Sequence, residues 1–228
     1  MLLAIICVLV GGALGLWTLR IPGRIRLSAG LVPVNIQPGD LLEFQGHLVV
    51  GVNELFDSQI GNRVSPESLH GQVIREVFNK DADAFASAVA NDLARREIPG
   101  AEWCAGENLR YPFGTTAVVP NGPYKVFLVA LAHTDTKEGS WKASADVHDL
   151  WNSMDGLWQA VRDWSNGGPI AIPLLGDGQS QVPVSKQHLL QIILESLEHA
   201  ALPQQKIVSE LTVFLRESNF LELAPKLR

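Results

Sequence analysis

Residues 167 to 183 read Gly-Gly-Pro-Ile-Ala-Ile-Pro-Leu-Leu-Gly-Asp-Gly-Gln-Ser-Gln-Val-Pro. The short apolar run between turn residues predicts a buried strand, and Ser185 is placed to cap the helix that follows. A glycine-rich turn from strand to helix directs free N–H groups and the positive end of the helix dipole to one place. The segment predicts a phosphate or diphosphate cradle, and a plain Gly-Asp-Gly turn is the structural alternative.

A second informative segment lies upstream, where the Gly-Asp turn of residues 38–44 precedes the apolar run His47–Val52 and Asn53. The order of these features, with a later strand that ends in a Gly-x-Gly loop, resembles the macro domain. The runs Val-Asn-Glu-Leu-Phe-Asp-Ser, Ser-Pro-Glu-Ser-Leu-His-Gly-Gln and Ile-Pro-Leu-Leu-Gly-Asp-Gly-Gln-Ser are most similar to the macro modules of Thoeris-type bacterial anti-phage effectors. The resemblance covers about residues 31–217, and it implies recognition of ADP-ribose or a related nucleotide.

Composition narrows the class of protein. The chain has 228 residues, 46% of them hydrophobic, which suits one domain of ordinary size plus an appendage. A net charge of -6 without a basic cluster in the main body argues against a nucleic-acid partner. The two cysteines form no disulfide framework or zinc knuckle, and no Walker loop, nucleophile elbow or helical histidine pair occurs. We expect no metal or cofactor beyond the nucleotide ligand.

The N-terminus predicts a transmembrane helix at residues 1–20. Leu2–Leu19 contains no charged residue and is followed by Arg20, Arg24 and Arg26, which favour the cytoplasmic side. We therefore expect a single-pass protein of the cell inner membrane, with a basic linker at 21–30 and a macro-like domain at 31–228 facing the cytoplasm. A signal peptide and a buried core helix are the alternatives.

The hydrophobic pattern predicts alternating strands and helices. Strands are predicted at Leu31–Ile36, Leu41–Phe44, His47–Val52, Thr115–Val119, Lys125–Ala132 and Ile207–Leu215. Helices are predicted over Asp81–Arg96 and Ala145–Trp164, and a further one starts in Ser65–Ser68, with an N-cap serine and Pro66 at the first helical position. The tryptophans of the last helix share its apolar face, which favours core packing over base stacking. The result is an α/β fold: a three-layer α/β/α sandwich with a mixed sheet.

The resemblance carries site residues onto this chain. Asp40 matches the aspartate that accepts the adenine amino group, although a turn-capping role is equally compatible with the sequence. Asn53 matches the first asparagine of the family's Asn-Ala-Ala-Asn run, and Asp57 stands near the place of the missing second one. The full set of candidate ligand-binding residues is Asp40, Leu41, Asn53, Asp57, Ser65, His70, Gly71, Gln72, His133, Leu175, Gly176, Asp177, Gly178, Gln179 and Ser180.

Two segments are candidates for holding the diphosphate. Ser65–Gln72 contains a single glycine, so a helix start and serine hydroxyls would replace the family's glycine-rich first loop. Gly176–Ser180 matches the second loop, and Asp177 is assigned to a ribose or distal group because its charge would repel phosphate. His70 and His133 are candidates for contact with the distal end of the ligand, and a purely structural role is the alternative.

The preferred hypothesis is a ligand-binding sensor rather than an enzyme. The resemblance implies a membrane-anchored cytoplasmic effector in anti-phage defence that binds an ADP-ribose-derived signal, such as amino-acid-linked ADP-ribose made by a TIR-domain enzyme, and forms a homo-oligomer on activation. Two alternatives remain open: an ADP-ribosyl hydrolase that depends on Asp57 or His70, and a membrane-tethered interaction module with a vestigial pocket.

Overall fold

The computed structural model describes residues 23–61, 63–98, 102–103, 109–134, 143–201 and 207–227. The strands are β1 Ile25–Ala29, β2 Val32–Pro38, β3 His47–Asn53, β4 Glu102–Trp103, β5 Leu109–Arg110, β6 Thr116–Asn121, β7 Tyr124–Thr134, β8 Ala143–Ser144, β9 Ile170–Pro173 and β10 Leu211–Leu215. The helices are α1 Leu69–Glu76, α2 Ala82–Arg95, α3 Val147–Trp164, α4 Lys186–Ala200 and α5 Glu217–Leu223, with 3-10 turns at Leu41–Glu43 and Ala224–Lys226.

A mixed sheet forms the centre of the molecule, with strand order β1-β2-β10-β9-β3-β7-β6 and β8 paired to β7. The neighbours from β2 to β7 are all parallel, whereas β1 and β6 pair antiparallel at the two sides. The carboxyl ends of β2, β10, β9, β3 and β7 therefore lie at one edge. Ligand sites of open α/β sheets form at this edge.

Helices cover both faces of the sheet, because successive strand side chains point to opposite sides. In β3, Val49 joins an apolar cluster with α3, α4 and α5, while Leu48 and Val50 join a cluster with α1 and α2. Trp158 of α3 is buried and donates its indole N–H to Ser196 Oγ of α4 at 2.9 Å. The predicted α/β/α arrangement is confirmed, and Trp158 serves packing as expected.

Most predicted elements are present, and the differences occur at polar turns. Leu41–Glu43 is a 3-10 turn instead of a strand, because the Asp40 carboxylate accepts a hydrogen bond from Leu42 N at 2.9 Å and caps it. The first helix starts at Leu69 and not near Ser65, since the hydroxyl of Ser68 accepts from Gly71 N at 3.0 Å.

Two further boundaries differ from the sequence analysis. Strand β1 falls inside the stretch 21–30 that was expected to be a linker, so the sheet begins at Ile25. The closing strand begins at Leu211, because Val208 forms only an isolated bridge to Gly167.

The predicted transmembrane segment, residues 1–20, lies outside the described residues. Within the part of the chain that the structure describes, no helix has the length and apolar character needed to cross a membrane.

Helix α3 approaches the β5–β6 loop so closely that glycine is required at the contact. A Cβ on Gly156 would lie 2.6 Å from the carbonyl carbon of Gly114 and 2.7 Å from its Cα. Gly114 has a φ of +85°, which also favours glycine.

We predict that Gly156→Ala lowers the stability by about 2 kcal/mol despite alanine's better helix propensity, because two backbones must separate. Thermal unfolding of the full chain in mild detergent should show a midpoint lower by about 6 °C. The control is Gly178→Ala, whose Cβ would have no atom within 4 Å. Equal midpoints for the two variants would contradict this packing argument.

Candidate functional site

A cleft of about 750 Å³ opens at the carboxyl edge of the parallel strands. Its walls come from the ends of β2, β10, β9, β3 and β7, the segment before and within α1, and the loop between β9 and α4. The candidate residues that line it are Asp40, Leu41, Asn53, Ser65, His70, Gln72, Leu175, Gly176, Asp177, Gly178, Gln179 and Ser180. Three other candidates, Asp57, Gly71 and His133, do not line the cleft.

The β9–α4 loop lines the cleft with Gly176, Asp177, Gly178, Gln179 and Ser180. Gly176 has a φ of +89°, and its carbonyl accepts from Val182 N at 3.0 Å, which closes the loop. Within the described ranges, the backbone N–H groups of Gly178, Gln179 and Ser180 have no protein acceptor. Consecutive free N–H groups of this kind form an anion-binding concavity.

The Asp177 side chain forms a hydrogen bond with α5, which the sequence did not predict. Asn219 of α5 donates its side-chain amide to Asp177 Oδ2 at 2.6 Å. This bond holds the carboxylate against α5, so the expected ribose or distal contact of Asp177 is not favoured. The same bond lessens the repulsion that an aspartate in a phosphate loop would cause.

The start of α1 forms another part of the cleft wall. Ser68 and Leu69 line it, and the first-turn N–H groups of a helix have no partner within the helix. Ser65 Oγ accepts from Glu67 N at 3.3 Å and donates to the Glu67 carboxylate at 3.3 Å, so its hydroxyl organises the turn. Gly71 faces the backbone of Ser65 inside this turn and contributes close packing.

Asn53 and Asp57 are joined by two hydrogen bonds. Asn53 Nδ2 donates to Asp57 Oδ2 at 2.9 Å, and Asp57 N donates to Asn53 Oδ1 at 3.1 Å. Arg63 Nη1 lies 3.1 Å from Asp57 Oδ1. Asp57 is therefore a positioning residue behind the cleft wall, and the expectation that it replaces the family's second asparagine at the ribose is not met.

His70 is buried at the cleft, with 6% of its surface exposed. Burial lowers the pKa of its imidazole to about 4, against a smaller opposing effect of a hydrogen bond to the Asp57 backbone. Its Nε2 has no hydrogen-bond partner among the described residues. The ring is consequently neutral at physiological pH.

His133 lies away from the cleft, and its side chain is 51% exposed. Its Nδ1 lies 2.7 Å from Glu54 Oε1, and Arg110 also contacts both side chains. Glu54 accepts from Thr134 N at 3.2 Å, which ties this polar cluster to the end of β7. The expected distal role of His133 is not met, because the β7 exit directs it to Glu54.

Several lining residues were missed by the sequence analysis. Phe214, Leu215 and Arg216 line the cleft at the end of β10, and Asn219 follows in α5. The parallel pairing of β10 with β2 places them beside Asp40. The sequence signal for these residues was the apolar run that ends in Leu215-Arg216. If that run is a parallel strand, its carboxyl end lies at the same edge of the sheet as the other strand exits.

Comparison with known proteins identifies the family. The sequence pattern described as Thoeris protein ThsA, Macro domain, matches residues 34–216. The chain belongs to this family. None of the curated proteins matches the chain significantly.

Solved macrodomains share the fold of this Thoeris macro domain. A mutant macrodomain of Oceanobacillus iheyensis with ADPR is 12% identical, with a TM-score of 0.61 over 90% of this chain and 96% of that chain. The same organism's macrodomain with ADP gives the same identity and TM-score over 90% and 94%. The Trypanosoma brucei macrodomain in complex with ADP-ribose is 10% identical, with a TM-score of 0.56 over 85% and 68%.

We predict that His70 makes the fold less stable in acid. Its pKa is 6.5 in the unfolded chain and about 4 in the folded protein, so the unfolded state binds more protons between these values. Stability is complete above pH 6.5 and falls as the pH approaches 4, by about 2 kcal/mol between pH 7 and pH 5.

Urea unfolding of the full chain at pH 7 and pH 5 measures this loss. His70→Phe should make the loss of stability between pH 7 and pH 5 smaller by about 2 kcal/mol. His148→Phe, at an exposed position on α3, should leave that loss unchanged. The same pH dependence in the wild type and His70→Phe would show that this imidazole is not the responsible group.

Proposed function

We propose that this Thoeris macro domain is a sensor that binds ADP-ribose or an ADP-ribose-derived nucleotide in the cleft. One observation carries the proposal: Gly178, Gln179 and Ser180, whose N–H groups have no acceptor among the described residues, line the same cleft as the start of α1. Two sets of backbone donors around one space suit the paired charges of a diphosphate. The solved macrodomains with ADPR, ADP and ADP-ribose support the nucleotide class.

The cleft has the length for a nucleotide joined to a second sugar. Four interstrand spacings separate β2 from β7, which amounts to about 19 Å along the edge. Asp40 and Phe214 mark the end beside β2 and β10, where an adenine base would lie. The β9–α4 loop occupies the middle, and Asn53 with Thr134 marks the end beside β3 and β7.

The charges around the cleft are compatible with an anionic ligand despite the net charge of -6. Arg63 and Arg216 line the cleft, and the helix dipole of α1 adds a positive end. The Asp40 carboxylate caps its turn through Oδ1 and remains at the base end, away from the phosphate loop. An acceptor at that position fits the amino group of adenine.

Binding without turnover is favoured over ADP-ribosyl hydrolysis. The hydrolase alternative requires Asp57 or His70 to act on the ligand. The Asp57 carboxylate is bonded to Asn53 and Arg63 behind the wall, and the low pKa of His70 suits an uncharged acceptor better than a proton donor.

The family and the N-terminal sequence support a wider role as part of this proposal. We place the chain in anti-phage defence, anchored in the cell inner membrane by residues 1–20 with the macro domain on the cytoplasmic side. A TIR-domain enzyme would supply the signal, for example an amino-acid-linked ADP-ribose, and ligand binding would promote homo-oligomers. The ligand can drive such a change only by its different affinity for the two states.

We predict that ADP-ribose raises the unfolding temperature of the full chain in mild detergent and that Gly178→Glu removes the shift. Gly178 has open space at its Cβ, so the variant keeps the fold but adds bulk and negative charge beside the N–H groups. At a ligand concentration of about 100 times Kd, the wild-type gain is about 2.7 kcal/mol.

The matched control is Gly23→Glu, because Gly23 also has open space at its Cβ and lies outside the cleft. It should retain the wild-type shift. A shift that survives Gly178→Glu would remove the phosphate-loop assignment. No shift in the wild type with ADP-ribose or ADP would favour the interaction module with a vestigial pocket.

We predict that the full chain sediments with bacterial membranes and that Leu9→Arg with Val10→Arg shifts it to the soluble fraction. Each arginine at the centre of a span costs about 3 kcal/mol on insertion scales. Leu31→Arg is the control, because Leu31 is 61% exposed and lies beyond the apolar run. Membrane association that is unaffected by the double change would contradict an anchor at residues 1–20.

A further inference from the structure

We propose that the outer edge of β1 pairs with β1 of a second copy of this chain, so that two sheets join into one across a two-fold axis. The inference rests on the proposed function in one respect, since it gives a surface to the homo-oligomer of that function. The pairing itself requires no nucleotide, because it uses backbone groups of a strand that is already formed.

The two outer strands of the sheet differ in how their free edges are protected. On β6, residues at the end of α2 bond the outward backbone groups: Asp92 Oδ2 accepts from Val118 N at 2.8 Å, and Arg96 donates to Thr116 O. Among the described residues, no hydrogen bond from another element reaches the outer side of β1. An unprotected edge strand is a template for pairing with another chain.

Alternate residues of β1 direct their backbone groups to this open edge, and Pro33 indicates which ones. Ser28 lies opposite Pro33 in the β1–β2 register. Proline has no N–H, so these two residues cannot exchange the two bonds of a hydrogen-bonded pair. Because bonded and non-bonded pairs alternate along antiparallel strands, Leu27 bonds β2, and the N–H and C=O groups of Arg26 and Ser28 point outward.

The sequence of β1 is self-complementary about Leu27. When Ile25–Ala29 runs antiparallel to itself with Leu27 on the axis, Arg26 faces Ser28 on both sides. The outward backbone groups of one copy then meet those of the other, which forms a hydrogen-bonded pair on each side of the axis. The arginines do not oppose each other, so the destabilising contact of like charges is avoided. This register is the reason for choosing a second copy as the partner.

The flank of the molecule beside β1 also carries apolar side chains that are incompletely covered. Leu27 and Leu194 of α4 pack against the core but are only partly buried, and Leu31 in the turn after β1 is 61% exposed. Glu198, one turn after Leu194, has its Cγ 3.6 Å from the position of a Cβ on Gly30, so α4 runs along this flank. A second copy on the two-fold axis would cover this surface with its own equivalent residues.

Cysteine cross-linking of the full chain in mild detergent tests the register, after Cys7 and Cys104 are changed to Ser. Leu27→Cys should form a disulfide-linked dimer on oxidation, because directly opposite Cβ atoms lie about 5 Å apart. Ser28→Cys alone should not, because the two copies of this position are offset along the strands and lie about 8 Å apart.

A mixture keeps the test valid if Leu27→Cys does not fold. Arg26 and Ser28 are both exposed, and their cysteine variants should form a heterodimer when mixed, although neither should cross-link alone. No dimer from the mixture or from Leu27→Cys would overturn the inference. Equal cross-linking by Ser28→Cys alone and by the mixture would also overturn it, because the register would be different.

The dissociation constant of the dimer, measured by analytical ultracentrifugation, is a second test. Ser28→Glu places a carboxylate opposite Arg26 on both sides of the axis and should tighten the dimer about fivefold, whereas Ser28→Lys should weaken it about fivefold. The same two changes at Ser87, which is exposed on α2, are the matched control and should leave the constant unchanged. Equal constants for Ser28→Glu and Ser28→Lys would contradict the pairing.

The pairing and the nucleotide site fail separately in these measurements. A thermal shift with ADP-ribose in a chain that gives no cross-link would overturn the β1 pairing and leave the ligand assignment intact. Cross-links in the stated register would support the pairing even if no nucleotide shifted the unfolding temperature, and that second result would refute the nucleotide sensor alone.

Discussion

The site depends on one constraint, which is that the neighbouring strands β2, β10, β9, β3 and β7 are parallel and end on one edge of the sheet. Each strand exit must turn away there, and the turns leave backbone groups without ladder partners. Residues far apart in sequence, such as Asp40 and Gly178, are brought to one cleft for this reason. The cleft is consequently a product of topology before any side chain contributes to it.

A local network of hydrogen bonds holds one end of the cleft in place. The exit of β3 is fixed by the paired bonds of Asn53 and Asp57, and the Asp57 backbone in turn orients His70 of α1. A strand end, a loop and a helix start are therefore held by one short chain of polar contacts. Such networks are rigid when every member is satisfied, and among the described residues His70 Nε2 is the buried member without a hydrogen-bond partner.

The sequence predicted the elements whose hydrophobic period is long and regular, such as α3 and β7, and it predicted the β9–α4 loop from glycine spacing. It failed where a single polar contact decides the outcome. One such contact is the cap of α1, which Ser65 or Ser68 could form and Ser68 does form. Another is the hydrogen bond that turns Asp57 to Asn53 instead of to the cleft. In both cases the residues are a few positions apart, and each has several possible partners. Phe214 and Arg216 line the cleft because β10 pairs parallel to β2, and this pairing is a long-range tertiary contact that local sequence patterns do not reveal.

The β9–α4 loop is held before any ligand arrives. The bond from Val182 N to Gly176 O closes it, Ser180 O accepts from Ala145 N at 3.1 Å, and Asn219 retains the side chain of Asp177. A preorganised loop loses little conformational entropy on binding, so a diphosphate bound there as we propose contributes affinity while doing little to separate two conformational states. Any switch must draw on contacts that form in only one state. In the complex that we propose, such contacts come from the part of the ligand beyond the diphosphate rather than from the loop that is already formed.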